Sequence, residues 1–125
     1  KNVVGSIKSQ LNCGCCYAFA TAAVFETLYA IKTKASSVTD LSAQQITDCS
    51  ANGNNGCGGG NFGPSVRYFL SQGNRSATFS SYPYAGRKQT CVTSGLNQIY
   101  LGKIEYGAIP EGDEVTMART LASTG

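Results

Sequence analysis

Apolar residues crowd the stretch from Tyr17 to Ile31, YAFATAAVFETLYAI, in which Glu26 is the only charge between Cys16 and Lys32. Phe19, Ala22, Ala23, Glu26 and Ala30 recur at three- and four-residue spacing. That period predicts a helix, and a helix apolar on nearly every side belongs in the middle of a domain. The polar turn ahead of it, QLNCGCC from Gln10 to Cys16, places Cys16 in the first helical turn. Free N–H groups and the positive end of a helix dipole favour a thiolate over a thiol there. Cys16 is either a nucleophile or a pairing residue, and periodicity does not separate the two.

The remaining pattern divides into shorter pieces. Residues 1–10 read as extended, with Val3, Val4 and Ile7 as apolar anchors. A second, brief helix is predicted to end near Cys49, with Ser42 as its cap and Gln45 completing a capping box. From Ser50 to Gly63 the chain holds six of its fifteen glycines and four asparagines, which predicts irregular backbone. Pro64 to Gln72 reads as a third helix with Pro64 in its first turn and Gly73 as the stop. Arg75 to Cys91 is turn-rich, Tyr100 to Ile109 reads as a strand weakened by Gly102 and Gly107, and a last helix runs from about Glu114 to Leu121.

A chain of 125 residues is one domain's worth, with room for a substantial core. Its net charge of +3 is spread over the whole length, without the concentrated basic face that nucleic acid requires. No run of eighteen apolar residues exists to span a membrane, and no hydrophobic leader opens the chain. Six cysteines favour an oxidising compartment, and Asn74-Arg75-Ser76 is an N-glycosylation acceptor. There is no histidine, so chemistry requiring an imidazole base needs a second source for it.

The cysteines admit several chemistries. Cys13 and Cys16 form a C-x-x-C pair ahead of a helix, the arrangement of thiol–disulfide oxidoreductases. That motif follows a buried strand, and residues 7–12 (IKSQLN) are too polar to be one. Cys13, Cys15, Cys16 and Cys57 are a conceivable thiolate set for zinc, yet zinc sites use two well-separated pairs and this chain has one. A disulfide module without chemistry is a further reading. In favour of a nucleophile, Gln10 lies six residues before Cys16, close enough for its carboxamide and the Cys16 N–H to converge on an anionic oxygen.

With those residues in place, the run Q-L-N-C-G-C-C-Y-A-F from Gln10 to Phe19 resembles the Q-G-S-C-G-S-C-W-A-F signature of papain-like cysteine proteases. The similarity continues through Glu26, Leu41-Ser42-x-Gln44-x-x-x-Asp48-Cys49 and Gly56-Cys57-x-Gly59-Gly60. It then runs through Tyr82-Pro83-Tyr84-x-Gly86 with Cys91, and Ile109-Pro110-x-Gly112-Asp113-Glu114. The resemblance implies an α+β, papain-like fold: a predominantly helical left domain around a central buried helix, without most of the β-rich right domain. Residues 1–107 would be that helical domain, and 108–125 the crossover into the other.

By the same resemblance, Cys16 is the nucleophile of a cysteine-type endopeptidase and Gln10 the side-chain donor of its oxyanion hole. Cys13 would pair with Cys57, and Cys49 with Cys91. Gly59 and Gly60 would hydrogen-bond the substrate backbone, with Asn61 and Phe62 beside the pocket for the second residue before the scissile bond. Tyr17 stands where the family has Trp, and Cys15 where it has a small Ser. The family's His and Asn lie on a carboxy-terminal half, expected as a partner. The implied partners are a peptide or protein substrate and a propeptide or protein inhibitor, with no nucleic acid, membrane, metal or organic cofactor. The implied location is lysosomal, vacuolar or secreted. An inactive relative acting as a binding or structural protein is the alternative.

Overall fold

The computed structural model describes residues 3–124; Lys1, Asn2 and Gly125, which belong to the expected terminal segments, lie outside the described residues. The longest element is α1 (Cys16–Thr33), followed by α2 (Ala43–Cys49) and α3 (Phe62–Ser71). A small antiparallel pair, β1 (Arg75–Ala77) and β2 (Gln98–Tyr100), precedes α4 (Glu114–Thr124). This is the expected mostly helical α+β domain around a central helix.

The core forms where α1 meets α2 and α3. Ala18, Ala22 and Phe25 of α1 are buried against Ile46 of α2 and Val66 and Phe69 of α3. The Phe25 and Phe69 rings meet edge to face with centroids 5.2 Å apart, a favoured aromatic geometry. The small residues Ala18 and Ala22 let the helices approach closely. α1 is not buried on every side, however. Val24, Leu28 and Ile31 are 41–45% exposed, so its apolar surface exceeds what α2 and α3 cover.

Glu26 is buried inside this apolar helix and is compensated locally. Its Oε1 accepts the Leu41 N–H at 2.8 Å, and Lys8 Nζ lies 3.4 Å from its Oε2 and 2.8 Å from Asp40 Oδ1. The amino-terminal segment is thus tied by a polar clasp. Val4 and Ile7, expected as apolar anchors, are instead exposed.

Ser42 caps α2 as expected, its Oγ accepting the Gln45 N–H at 3.0 Å. The reciprocal half of the capping box does not form. Gln45 Oε1 accepts the Ala77 N–H at 2.8 Å, and the Ser42 N–H goes to Ala77 O at 2.9 Å. A backbone pair from β1 outcompetes the local motif because both its groups are buried and need partners.

Helix α3 starts two residues before Pro64, at Phe62, and ends where Gly73 (φ 67°) and Asn74 (φ 60°) turn left-handed. The Asn74 N–H then returns to Phe69 O at 2.9 Å. The expected strand over 100–109 is corrected: only Gln98–Tyr100 pairs with β1. Its partner β1 is three residues long. Beyond Tyr100 the Leu101 N–H still donates to Asn74 O at 2.8 Å, but Gly102 then takes a positive φ of 87° and no further ladder bond forms among the described residues. Helix α4 is capped by Asp113, whose Oδ1 accepts the Thr116 N–H at 2.9 Å.

Candidate active site

Cys16 is the first residue of α1 and is exposed, while Cys15 before it is fully buried. Cys15 O accepts the N–H groups of Ala18 (2.9 Å) and Phe19 (3.4 Å), closing the first turn. The Cys16 N–H has no acceptor among the described residues, as expected of a helix's first donors. A thiol and a free backbone donor therefore coincide at one solvent-facing position.

Gln10 lies on the same turn. Its Nε2 donates to Cys13 O at 2.9 Å, and its backbone O accepts from the Cys13 N–H at 3.3 Å. A carboxamide nitrogen carries two protons, so that bond orients the side chain and leaves one N–H for another acceptor. Leu11 between them takes a left-handed φ of 54°.

The glycine strip is fastened to this turn covalently and by backbone. Cys13 and Cys57 form a disulfide, and the Gly14 N–H donates to Cys57 O at 3.0 Å as part of a parallel bridge between Gly14 and Gly58. A Cβ on Gly14 would lie 2.5 Å from Cys57 O, so only glycine permits this approach. Cys49 and Cys91 form the other disulfide, leaving Cys15 and Cys16 free. With Cys13 and Cys57 joined, neither a Cys13–Cys16 redox dithiol nor the four-thiolate zinc set is available.

Tyr17 supports the strip from below. Its hydroxyl donates to Gly56 O at 2.9 Å, and burial pushes its phenol up to about 12. A Cβ on Gly60 would collide with Asn54 Oδ1 and the Tyr17 ring, whereas Gly59 (φ 106°) faces open space. The Gly59 carbonyl accepts the Asn55 N–H at 2.8 Å. The N–H and C=O of Gly60 have no partner among the described residues. Asn61 is exposed, with its N–H held by Asn54 Oδ1 at 2.7 Å. Phe62 is 39% exposed and stacks on Phe25 with centroids 6.4 Å apart. It helps line an apolar groove of about 460 Å³ with Val24, Leu28, Ile104 and Tyr106.

The structure thus gathers Gln10, Cys16, Tyr17, Gly59 and Gly60 around one disulfide-locked turn, with Asn61 and Phe62 continuing from the strip. Asn74 lies apart from it, at the end of α3. Two residues to which the sequence reading gave no role prove structural to the site. Asn54, buried in the Gly/Asn loop, donates to Ser50 Oγ and Ser65 Oγ while accepting from Asn61. Among four asparagines in one loop, nothing local distinguishes it. Tyr84 stands 3.0 Å from Cys15 Sγ and donates to Gln10 O at 2.6 Å. Its ring meets Phe19 edge to face at 4.8 Å, and burial followed by the Cys15 hydrogen bond raises its phenol above the ordinary range.

The sequence profile of the papain family cysteine proteases matches residues 1–125. The chain is similar to cathepsin L of Sarcophaga peregrina, 37% identical over 98% of this chain and 35% of the relative. It is likewise similar to the cysteine protease Amb a 11.0101 of Ambrosia artemisiifolia, 40% identical over 98% of this chain and 30% of the relative. Among solved structures, the bromelain protease of Ananas comosus in complex with the E64 inhibitor superposes with a TM-score of 0.68 at 39% identity. That match covers 76% of this chain and 42% of the bromelain chain. The chain spans about a third of the length of the curated relatives it matches. A free thiol leading the central helix, a glycine strip locked beside it, and this likeness in sequence and structure make the chain a member of the papain family of cysteine proteases.

Proposed function

We propose that this chain supplies the nucleophile and half of the substrate cleft of a cysteine endopeptidase, whose histidine and asparagine come from a carboxy-terminal half. The observation that carries the reading is Cys16. It is an exposed thiol at the head of the central helix, its own N–H without an acceptor among the described residues, beside the Gln10 carboxamide and a strip held by Cys13–Cys57.

In this mechanism the histidine takes the Cys16 proton, giving a thiolate–imidazolium pair. The thiolate attacks the scissile carbonyl carbon, and the oxygen that becomes negative receives the Cys16 N–H and the remaining Gln10 N–H. Removing one such donor typically costs about 3–4 kcal/mol of transition-state stabilisation. The imidazolium then protonates the departing amine, and water hydrolyses the thioester. The open Gly60 N–H and C=O pair with an extended peptide as a neighbouring strand would. Phe62 and the groove beside it suit an apolar side chain two residues before the scissile bond. Chemistry of this kind needs no metal or organic cofactor. Two disulfides and the glycosylation acceptor at Asn74 suit a lysosomal, vacuolar or secreted protease, in which a propeptide or protein inhibitor would occupy the same cleft.

The test is to assay the chain on a short fluorogenic peptide with an apolar residue two before the cleavage point. The assay is repeated with the complementary half present, and again with Cys16→Ala. We expect turnover only from the complex carrying Cys16. Turnover by the chain alone would refute the need for an outside histidine. An assembled but inactive complex would instead support an inactive relative with a binding role.

A further inference from the structure

The turn that carries Gln10 is anchored by a connection that the protease reading does not use. Tyr84 comes from a segment 74 residues beyond Gln10, yet its hydroxyl donates to the Gln10 backbone oxygen at 2.6 Å. The same hydroxyl oxygen lies 3.0 Å from Cys15 Sγ, and Cys15 is fully buried. A phenol has one proton. Since that proton is directed to Gln10, the contact with Cys15 requires the thiol to donate its S–H to the Tyr84 oxygen. The order of donation is therefore Cys15 S–H to Tyr84 O–H to the Gln10 carbonyl, each bond polarising the next, in a half-buried site.

The chain of bonds joins both ends of the catalytic turn. At one end is residue 10, whose carboxamide is steered by its bond to Cys13 O at 2.9 Å. At the other is residue 15, whose carbonyl closes the first turn of α1 and so fixes the direction of the Cys16 N–H. We infer that Tyr84, hydrogen-bonded from Cys15, is a positioning residue that sets where the Gln10 carboxamide stands relative to the Cys16 N–H. The inference rests on the protease reading for its effect on rate, but the placement of Gln10 is measurable without it. It also gives Cys15 a role: a buried donor, out of reach of solvent, beside the exposed thiol.

The experiment uses the assembled protein with its complementary half. Tyr84→Phe keeps the ring against Phe19 and removes only the hydroxyl. It should lower kcat about tenfold with KM within about twofold, because misplacing a catalytic donor harms the transition state more than binding. In a Gln10→Ala background the same change should cost less than about twofold, since the group it positions is gone. Cys15→Ser retains a donor and should stay near wild-type activity, whereas Cys15→Val should resemble Tyr84→Phe. Equal losses in both backgrounds, or a loss of thermal stability with kcat intact, would overturn the proposal. NMR of the Gln10 side-chain amide gives the readout independent of turnover. Its two proton resonances should be well separated in the unmutated protein and should collapse toward those of free glutamine in Tyr84→Phe. If the unmutated protein cleaves nothing, the protease reading fails, and an unchanged Gln10 amide in Tyr84→Phe separately ends the positioning claim.

Discussion

At the scale of single residues, the site depends on the smallest ones. Gly14 is required by space, because any Cβ there would press on the Cys57 carbonyl at 2.5 Å. Gly59 is required only by its backbone, with φ at 106° and nothing within 4 Å of an added Cβ. The two should therefore respond differently to alanine. Gly14→Ala must push the strip away and break the Gly14 N–H bond to Cys57 O, with an expected loss of about 2–3 kcal/mol. Gly59→Ala meets only conformational strain of about 1–2 kcal/mol. Urea unfolding of both variants checks the order, and a Gly14→Ala protein as stable as the parent would contradict the close approach.

At the scale of elements, α1 and α4 are held in opposite ways. Burial holds α1, and its one internal charge is answered by Lys8 and the Leu41 N–H. Helix α4 is exposed along the length described, apart from the half-buried Thr116, and relies on its cap. Asp113 accepts both the Thr116 N–H and the Thr116 hydroxyl, and these bonds hold its carboxyl below the ordinary value of 3.8. A depressed carboxyl stabilises the fold above its unfolded pKa, and that contribution disappears as pH falls through the folded value. The Thr116 amide resonance, followed from about pH 5 to about pH 2, should move with a midpoint below that of a free Asp carboxyl and flatten in Asp113→Asn. A midpoint at or above the ordinary value would contradict the cap. The titration concerns only this helix end and predicts no wider acid unfolding.

Across the whole molecule, the two disulfides act at different places although they close loops of nearly equal length. Their sequence separations are 44 and 42, for which loop-closure entropy gives about 4 kcal/mol each. Cys49–Cys91 ties the end of α2 to the turn-rich segment, away from Cys16. Replacing that pair by alanine should cost most of this stability and leave peptide KM unchanged in the assembled enzyme. Replacing Cys13 and Cys57 should cost a similar amount and, on the proposed protease reading, also raise KM, since it frees the strip proposed to pair with substrate. Denaturant titration and steady-state kinetics on the two double variants make the comparison; equal effects on KM would contradict the division. The exposed apolar side chains Val24, Leu28 and Phe62 form a continuous region with the groove beside α1, a surface larger than isolated apolar residues ordinarily make.

The local sequence determined what local forces can enforce. A helix buries one side through contacts repeated every few residues, so the period from Tyr17 onward reported α1, and Cys16 fell at its head as expected. Ser42 as a cap and the stop at Gly73 were legible for the same reason, each acting within a few residues. The resemblance of spaced motifs, rather than periodicity, carried the two disulfide pairings. Tertiary structure decided where distant groups compete. Gln45 abandoned its capping partner for the Ala77 N–H, and the strand expected through Ile109 stopped at Tyr100, where its three-residue partner ends and Gly102 turns away. Cys15 turned inward as the resemblance implied, but its partner Tyr84, 69 residues away, is one that no local pattern points to. Buried donors and acceptors must all be satisfied at once, and the partners that satisfy them here lie tens of residues away, where only the folded chain brings them within reach.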